Sequence, residues 1–367
     1  MSELFVVCAP GCEALLAREL AALGHPGEAE AGGVTVRGED EAIYAVNLRS
    51  RIAGRVLLRV ASFPAKSFGA LESGIAAIRF GGRLDKRAPL AVRVTCHRSK
   101  LYHTKAVAER VYGKLGAPPA GPSHLDEDDT PPATLLVRID HDVCTVSLDT
   151  SGAHLHKRGY RLASAKAPMR ETLAAALLAA ADYDGSVPFL DPLCGSGTIA
   201  VEAGLIACRK APGMARRFAF ETWKAFDEKA WRGLRDAARR QERRSPVLIS
   251  ASDRDSGAIE ATRANAERAG VPVEVAVQPL SRAVPPKEPG LVLANPPYGT
   301  RIGDASRLRD LYAALGNLAR GPFAAWHFGF ATTDAQLARA AGEGFTTPHP
   351  PMAHGGLKIR LWLRTPD

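Results

Sequence analysis

The apolar run Val187–Leu190 ends in Asp191-Pro192-Leu193-Cys194-Gly195-Ser196-Gly197-Thr198, and a helix-period run, Ile199–Ala207, follows at once. A strand that passes into a helix through a glycine turn commits its surroundings to alternating strand and helix, the pattern of a doubly wound parallel sheet. Glycine at that turn lets bare backbone approach a ligand at the carboxyl edge of the sheet. Two phosphate-binding fingerprints are absent: the turn is not Gly-x-Gly-x-x-Gly, and no Gly-Lys-Ser/Thr follows it.

The alternation continues downstream. Strand Val247–Ala251 leads to Asp253, placed to accept from both hydroxyls of a ribose, and helix Ser256–Ala269 follows. A weak strand, Val273–Val277, reaches Gln278, and strand Leu291–Ala294 delivers Asn295. A helix Ser306–Arg320, a strand near Trp326–Ala331, a helix Asp334–Ala341 and a closing strand Leu357–Leu363 complete the domain. A hairpin joining the last two strands is expected to account for the Pro/His/Gly-rich segment between them. An insertion, Arg209–Arg244, is basic and carries Trp223 and Trp231.

Asn295-Pro296-Pro297-Tyr298 suits one particular chemistry. An exocyclic aromatic amine attacks poorly, because its lone pair is delocalised into the ring. The Asn295 side-chain carbonyl and the Pro296 backbone carbonyl can accept its two N–H bonds, aiming the lone pair at a methyl donor. Tyr298 supplies a face for stacking the base, and the two prolines stiffen the loop. Taken alone, the motif is equally an ordinary strand-ending turn.

Upstream, the spacing predicts strand Leu4–Val7, helix Cys12–Leu23, strand Gly33–Arg37, a helix from Asp40 to Ala53 and strand Arg55–Val60. A second α/β unit follows: helix Leu71–Phe80, strand Leu90–Thr95, helix Lys105–Leu115, a Pro/Gly-rich acidic loop Ala117–Pro132, and strands Thr134–Ile139 and Val143–Leu148 joined by a short turn. Between Arg49 and Lys114 there are fifteen Lys or Arg against three acids, an excess of twelve that exceeds the whole-chain balance of +9. Such a concentration fits a polyanion. Arg93, Arg98, Lys100 and Lys105 are the best candidates for phosphate contacts. A second basic cluster, Lys157, Arg158, Arg161, Lys166 and Arg170, has no intervening acid. His154 and His156 lie in the same linker and read as polar linker residues. The helical run Met169–Asp182 then leads into the C-terminal domain.

The chain's 367 residues are long enough for two or three domains, and 46% hydrophobic with 24% charged residues describes a soluble globular protein. The six cysteines are scattered without a Cys-x-x-Cys pair, so neither a zinc site nor a disulfide framework is expected, and no metal is assigned. The N-terminal stretch lacks a basic n-region, and no run is long enough to span a membrane. Cytoplasmic location is the expectation.

Three motifs stand in order at three strand ends: Asp191-Pro-Leu-Cys-Gly-Ser-Gly-Thr, Ser252-Asp253-Arg254-Asp255 and Asn295-Pro-Pro-Tyr-Gly. Together they resemble class I, Rossmann-fold-like methyltransferases that use S-adenosylmethionine. The runs LDTSGAHLHKRGYR and APMRETLAAALL, the opening CAPGCEALLARELAALG, VNLRSRIAGRVLLRV and APGMARRFAFETW extend the likeness over nearly the whole chain. They are similar to the bacterial THUMP-domain RNA guanine-N2 methyltransferases. The resemblance implies a ferredoxin-like domain at 1–64, a THUMP RNA-binding domain at 65–152 and a catalytic domain at 153–367. It implies that Asp191, Cys194, Gly195, Gly197 and Thr198 surround the cofactor, that Asp253 binds its ribose and that Arg254 lies near the adenine. Arg170, Glu171 and Thr172 would close the methionine end. Gln278 departs from the family pattern, which often places an Asp there to accept from the adenine amine. Lys157 and Arg158, from the second basic cluster, join the expected RNA contacts. The implied reaction forms N2-methylguanosine in 23S ribosomal RNA, by a monomer; the acceptor stem of transfer RNA is the alternative substrate. Protein glutamine methylation, DNA adenine methylation and a non-catalytic RNA-binding role are more distant readings.

Overall fold

The computed structural model describes residues 2–121, 132–162, 169–286, 288–298 and 305–366. Lys166 of the second basic cluster and most of the acidic loop after Ala117 lie outside them. The chain forms two compact units: Met1–Cys8, Ala17–Leu155 and Ala215–Asp236 make the first, and Ala9–Leu16, His156–Met214 and Ala237–Asp367 the second.

The first unit is built on seven strands: β1 (Ser2–Val7), β2 (Gly27–Glu30), β3 (Gly33–Gly38), β4 (Arg55–Pro64), β5 (Leu90–His97), β6 (Ala133–Asp140) and β7 (Val143–Asp149). They form one sheet in the order β2-β3-β1-β4-β7-β6-β5, antiparallel except for the β5–β6 pair. The sheet runs without a break across residue 64, since β4 pairs with β1 on one side and β7 on the other. Period-two alternation separates its faces: Leu4 and Val6 are buried, whereas Arg93, Thr95 and His97 on β5 face solvent. Helices α2 (Asp40–Arg49), α3 (Phe68–Ala77) and α4 (Thr104–Leu115) pack against β4 and β5. The helix α1 (Glu13–Ala22) precedes them.

The insertion belongs partly to this unit. Tyr44 packs among Phe220, Phe226 and Trp231, with ring centroids 4.7, 5.8 and 6.1 Å away. Arg216 donates to the carbonyls of Ser151, Ala153 and His154 at 3.2, 2.6 and 2.6 Å.

In the second unit α5 (Glu171–Ala180) precedes an alternation of strand and helix: β8 (Phe189–Asp191), α6 (Thr198–Ala207), β9 (Ile249–Asp253), α8 (Ser256–Ala269), β10 (Glu274–Val277), β11 (Leu291–Ala294), α9 (Ala305–Arg320), β12 (His327–Thr332) and α10 (Ala335–Ala340). The helix α7 (Glu228–Gln241) begins in the first unit and ends in the second. Two last strands, β13 (Met352–His354) and β14 (Leu357–Arg364), give the sheet order β10-β9-β8-β11-β12-β14-β13. Strands β8 to β12 are parallel, and β14 is antiparallel to both neighbours. All four residues of β11 are buried, as expected of a central parallel strand covered on both faces. This is a doubly wound, Rossmann-fold-like sheet with one reversed strand.

The structure adjusts the expected ending. The strands β12 and β14 do pair antiparallel, but α10 lies between them in the chain; the tight hairpin is β13–β14, turning at Gly355-Gly356. Three strand residues set among Pro, His and Gly left no periodicity to read. Among the described residues no helix is long and apolar enough to cross a membrane.

Candidate active site

Parallel pairing brings the three motifs to one edge. Leu190 lies opposite Val292 of β11, Asp191 opposite Ala251 of β9, and Asp253 opposite Val277 of β10. The segments that leave these strands therefore emerge together, on either side of the point between β8 and β11 where strand order reverses. In open α/β sheets this crevice takes the ligand.

The glycine turn is braced from three directions. Cys194 N–H donates to the Ser252 carbonyl at 3.1 Å, Thr262 Oγ1 donates to the Gly195 carbonyl at 2.8 Å, and Asn265 Nδ2 donates to the Ser196 carbonyl at 2.9 Å. Gly197 has φ 79, and a Cβ there would stand 2.5 Å from the Thr262 methyl, so conformation and space both demand glycine. Gly195 has φ 53, yet a Cβ on it would meet nothing within 4 Å: its bare flank faces open space. Thr198 begins α6. Asp253 divides its carboxylate, Oδ2 accepting from Gly195 N–H at 3.0 Å and Oδ1 from Asp255 N–H at 3.0 Å. Gln278 is anchored beside it, its N–H donating to the Asp253 carbonyl at 2.9 Å, and Arg254 is exposed.

Burial sets the proton affinities. Asp191 is enclosed and accepts only one described hydrogen bond, from Leu193 N–H at 3.1 Å; desolvation, helped by the Asp253 charge, pushes its pKa up to about 8. Burial and the same carboxylates push the Cys194 thiol far up, which keeps it protonated and unfit as a nucleophile. Glu171 is also buried. Arg161 donates to it at 2.9 Å and to the Met169 carbonyl at 2.7 Å, but desolvation outweighs that pairing and raises the carboxyl to about 7. Thr172 is half-buried beside it and Arg170 is exposed.

At the end of β11, Pro296 is buried and Asn295, Pro297 and Tyr298 are half-buried. The Asn295 Oδ1 atom is shielded from solvent yet has no hydrogen-bond partner among the described residues. Such an orphan costs free energy on the order of 1–3 kcal/mol unless something occupies it. The Pro297 carbonyl faces the Tyr312 hydroxyl at 3.5 Å; Tyr312 is fully buried, edge-on to Phe330 at 5.4 Å. Tyr298 packs on the same apolar cluster.

Of the cations expected to meet phosphate, Arg93, Arg98, Lys100 and Lys105 in the first unit and Lys157 in the second are exposed. Arg158 is not among them. Its side chain is 2% exposed and pairs with the fully buried Glu202 at 2.6 Å, which also accepts from the Tyr160 hydroxyl at 2.8 Å. A guanidinium committed to a buried carboxylate cannot serve RNA, so its assignment as an RNA contact is withdrawn. Sequence reasoning missed Thr262, Asn265 and Tyr312. The first two are polar residues three apart on α8, both fully buried, and polar side chains on the apolar stripe of a helix were the available signal.

The model of the "RMKL-like, methyltransferase domain" matches residues 158–353, over half the chain. The chain belongs to the RMKL-like methyltransferase family. The "RlmL ferredoxin-like domain" matches residues 3–57. The ribosomal RNA large subunit methyltransferase K/L of Syntrophotalea carbinolica is 35% identical over 364 residues, covering 93% of this chain and 50% of that protein. The chain thus spans about half the length of the curated relatives it matches. Among solved structures, a possible methylase from Clostridium difficile superposes with TM-score 0.88 at 32% identity, covering 100% of this chain and 98% of the other. A putative methyltransferase in complex with SAH gives 0.86 at 29% identity, with coverage of 100% and 98%.

Proposed function

We propose that this RMKL-like chain transfers a methyl group from S-adenosylmethionine to the exocyclic N2 of a guanine in 23S ribosomal RNA. The reading is carried by the Asn295 Oδ1, a buried acceptor at the crevice that has no partner among the described residues and that an amine N–H would satisfy. The large-subunit rRNA naming of a 35% identical relative supports the substrate, as does the basic excess of the first half.

The residues fit the cofactor. The bare flank of Gly195 admits close approach, and each Asp253 oxygen retains acceptor capacity for a ribose hydroxyl after its one backbone bond. Gln278 and Arg254 border the adenine end, while Asp191, Cys194, Gly197 and Thr198 line the turn. Arg170, Glu171 and Thr172 close the methionine end. When bound, S-adenosylmethionine supplies a methyl made electrophilic by the sulfonium.

The chain's own part is orientation. Asn295 Oδ1 and the Pro296 carbonyl accept the two N–H bonds of the guanine amine, which localises its lone pair. Tyr298 offers a ring face to the base. Pro297 fixes the loop above Tyr312. No strong base is needed, because the amine becomes acidic once methylated and releases its proton late. A target within a helix must be flipped out, at a cost of roughly a few kcal/mol met by stacking and backbone contacts.

In this reading residues 1–64 form a ferredoxin-like domain and 65–152 a THUMP domain that presents Arg93, Arg98, Lys100 and Lys105 to phosphates, with Lys157 adding to them. Residues 153–367 carry catalysis, and the protein acts as a monomer in the cytoplasm. An Asn295→Ala variant tests the assignment: it should bind SAH like the wild type while losing at least about 100-fold in methyl transfer, the scale of a lost positioning contact. Near-normal methylation by that variant overturns it.

A further inference from the structure

None of the residues proposed to hold cofactor or orient the guanine lies in Ala215–Asp236, the part of the insertion that groups with the first unit. This segment lines an open cavity of about 420 Å³, within the range that takes small-molecule ligands. Arg217, Arg232 and Arg235 line it, together with Phe218, Phe226 and Trp231. Its aromatic wall is packed edge to face. Trp231 meets Phe218 edge-on at 5.6 Å and Phe220 edge-on at 5.1 Å, and the Arg235 guanidinium lies over the Trp231 ring at 5.5 Å.

Two acids also border the cavity. Glu221 Oε1 is engaged by the Phe218 N–H at 2.8 Å. Glu228 pairs with Arg232 at 2.7 Å, but both side chains are about 70% exposed, and an i,i+4 pair in that much water is readily exchanged for another anion. An anion alone would need no ring wall, and an apolar ligand would need no guanidinia. The two together suit a planar ring that carries a phosphate, because bases stack on aromatic faces and on guanidinium planes alike.

We propose that this cavity holds one unpaired nucleotide of the RNA, its base against Phe226 and the Arg235 guanidinium that covers the buried Trp231, and its phosphate against Arg217 and Arg232. The proposal rests on the RNA reading above. It assigns the insertion the task of gripping a single-stranded part of the substrate.

The test is fluorescence anisotropy of the full chain with a labelled twelve-nucleotide single-stranded RNA of mixed sequence, and with the same strand in a duplex, at several salt concentrations. A double Arg217→Ala, Arg232→Ala variant should bind the single strand about tenfold more weakly, with a log–log salt slope smaller by about 0.7 for the one phosphate no longer neutralised. Its duplex binding and its SAH binding should match the wild type. Phe226→Ala leaves every charge in place and should weaken single-strand binding at an unchanged salt slope. Equal single-strand affinity in the double variant overturns the pocket while leaving the RNA reading intact. An equal loss on the duplex, or no effect of Phe226→Ala, reduces the cavity to a charged patch and also overturns the proposal. A wild-type chain that binds neither RNA defeats the RNA reading and the pocket with it.

Discussion

Asp253 holds the glycine turn through Gly195: its Oδ2 accepts the Gly195 N–H at 3.0 Å, while its Oδ1 accepts the Asp255 N–H at 3.0 Å. The carboxylate thus shapes the turn, and in the proposed reading it also accepts from the ribose. Asp253→Asn keeps the volume but turns one acceptor into a donor that faces an N–H. A lost bond with an unmatched donor costs about 1–3 kcal/mol. Calorimetry with SAH should therefore show affinity lower by about tenfold or more; an unchanged affinity would mean that the turn is set by other contacts.

The Asp191 carboxyl gives the cofactor-free protein a pH dependence. Its folded pKa of about 8 lies above the ordinary 3.8, so folding favours the protonated form. The contribution is fully present below about pH 4 and is lost as pH rises through about 8. Glu171, raised to about 7, acts in the same direction over a lower window. Urea midpoints should fall between pH 6 and pH 9, and Asp191→Asn should flatten that fall. A wild-type midpoint that rises over this interval would contradict the assignment.

Arg158 and Glu202 form a structural pair. Arg158→Ala leaves a fully buried carboxylate without its guanidinium, a change that typically costs about 3–5 kcal/mol. Denaturant titration should show that loss. A variant with wild-type stability would return Arg158 to the surface.

Arg93, Lys100 and Lys105 are exposed and should behave in the opposite way. Changing all three to Ala should leave stability within about 0.5 kcal/mol per site while weakening RNA binding and lowering its salt slope. Filter binding across a salt series separates this outcome from a purely structural effect, which would not move the slope.

The second unit was largely legible in sequence because its informative residues sit where strands stop. Asp191 and Asp253 end their strands, and Asn295 directly follows β11, so local pattern placed each one correctly. What escaped depends on partners far along the chain. Arg158 looked like one of a run of cations, since nothing near it reveals that Glu202, 44 positions on, faces it. Tyr312 beneath Pro297 and the α8 residues under the glycine turn are long-range contacts of the same kind. The helix α7 was missed within the mixed insertion, and the grouping of Ala215–Asp236 with the first unit involves partners far along the chain, Tyr44 and the carbonyls of Ser151, Ala153 and His154 among them.

The central claim is a methyl group on guanine N2 in RNA. It is tested most directly by incubating the chain with isotopically labelled S-adenosylmethionine and unmodified RNA fractions, then digesting to nucleosides and identifying the labelled product. The account predicts label in N2-methylguanosine, recovered from the 23S fraction. Label in a methylated adenine, or none in any RNA fraction, would contradict it; N2-methylguanosine confined to the transfer RNA fraction would contradict the choice of substrate.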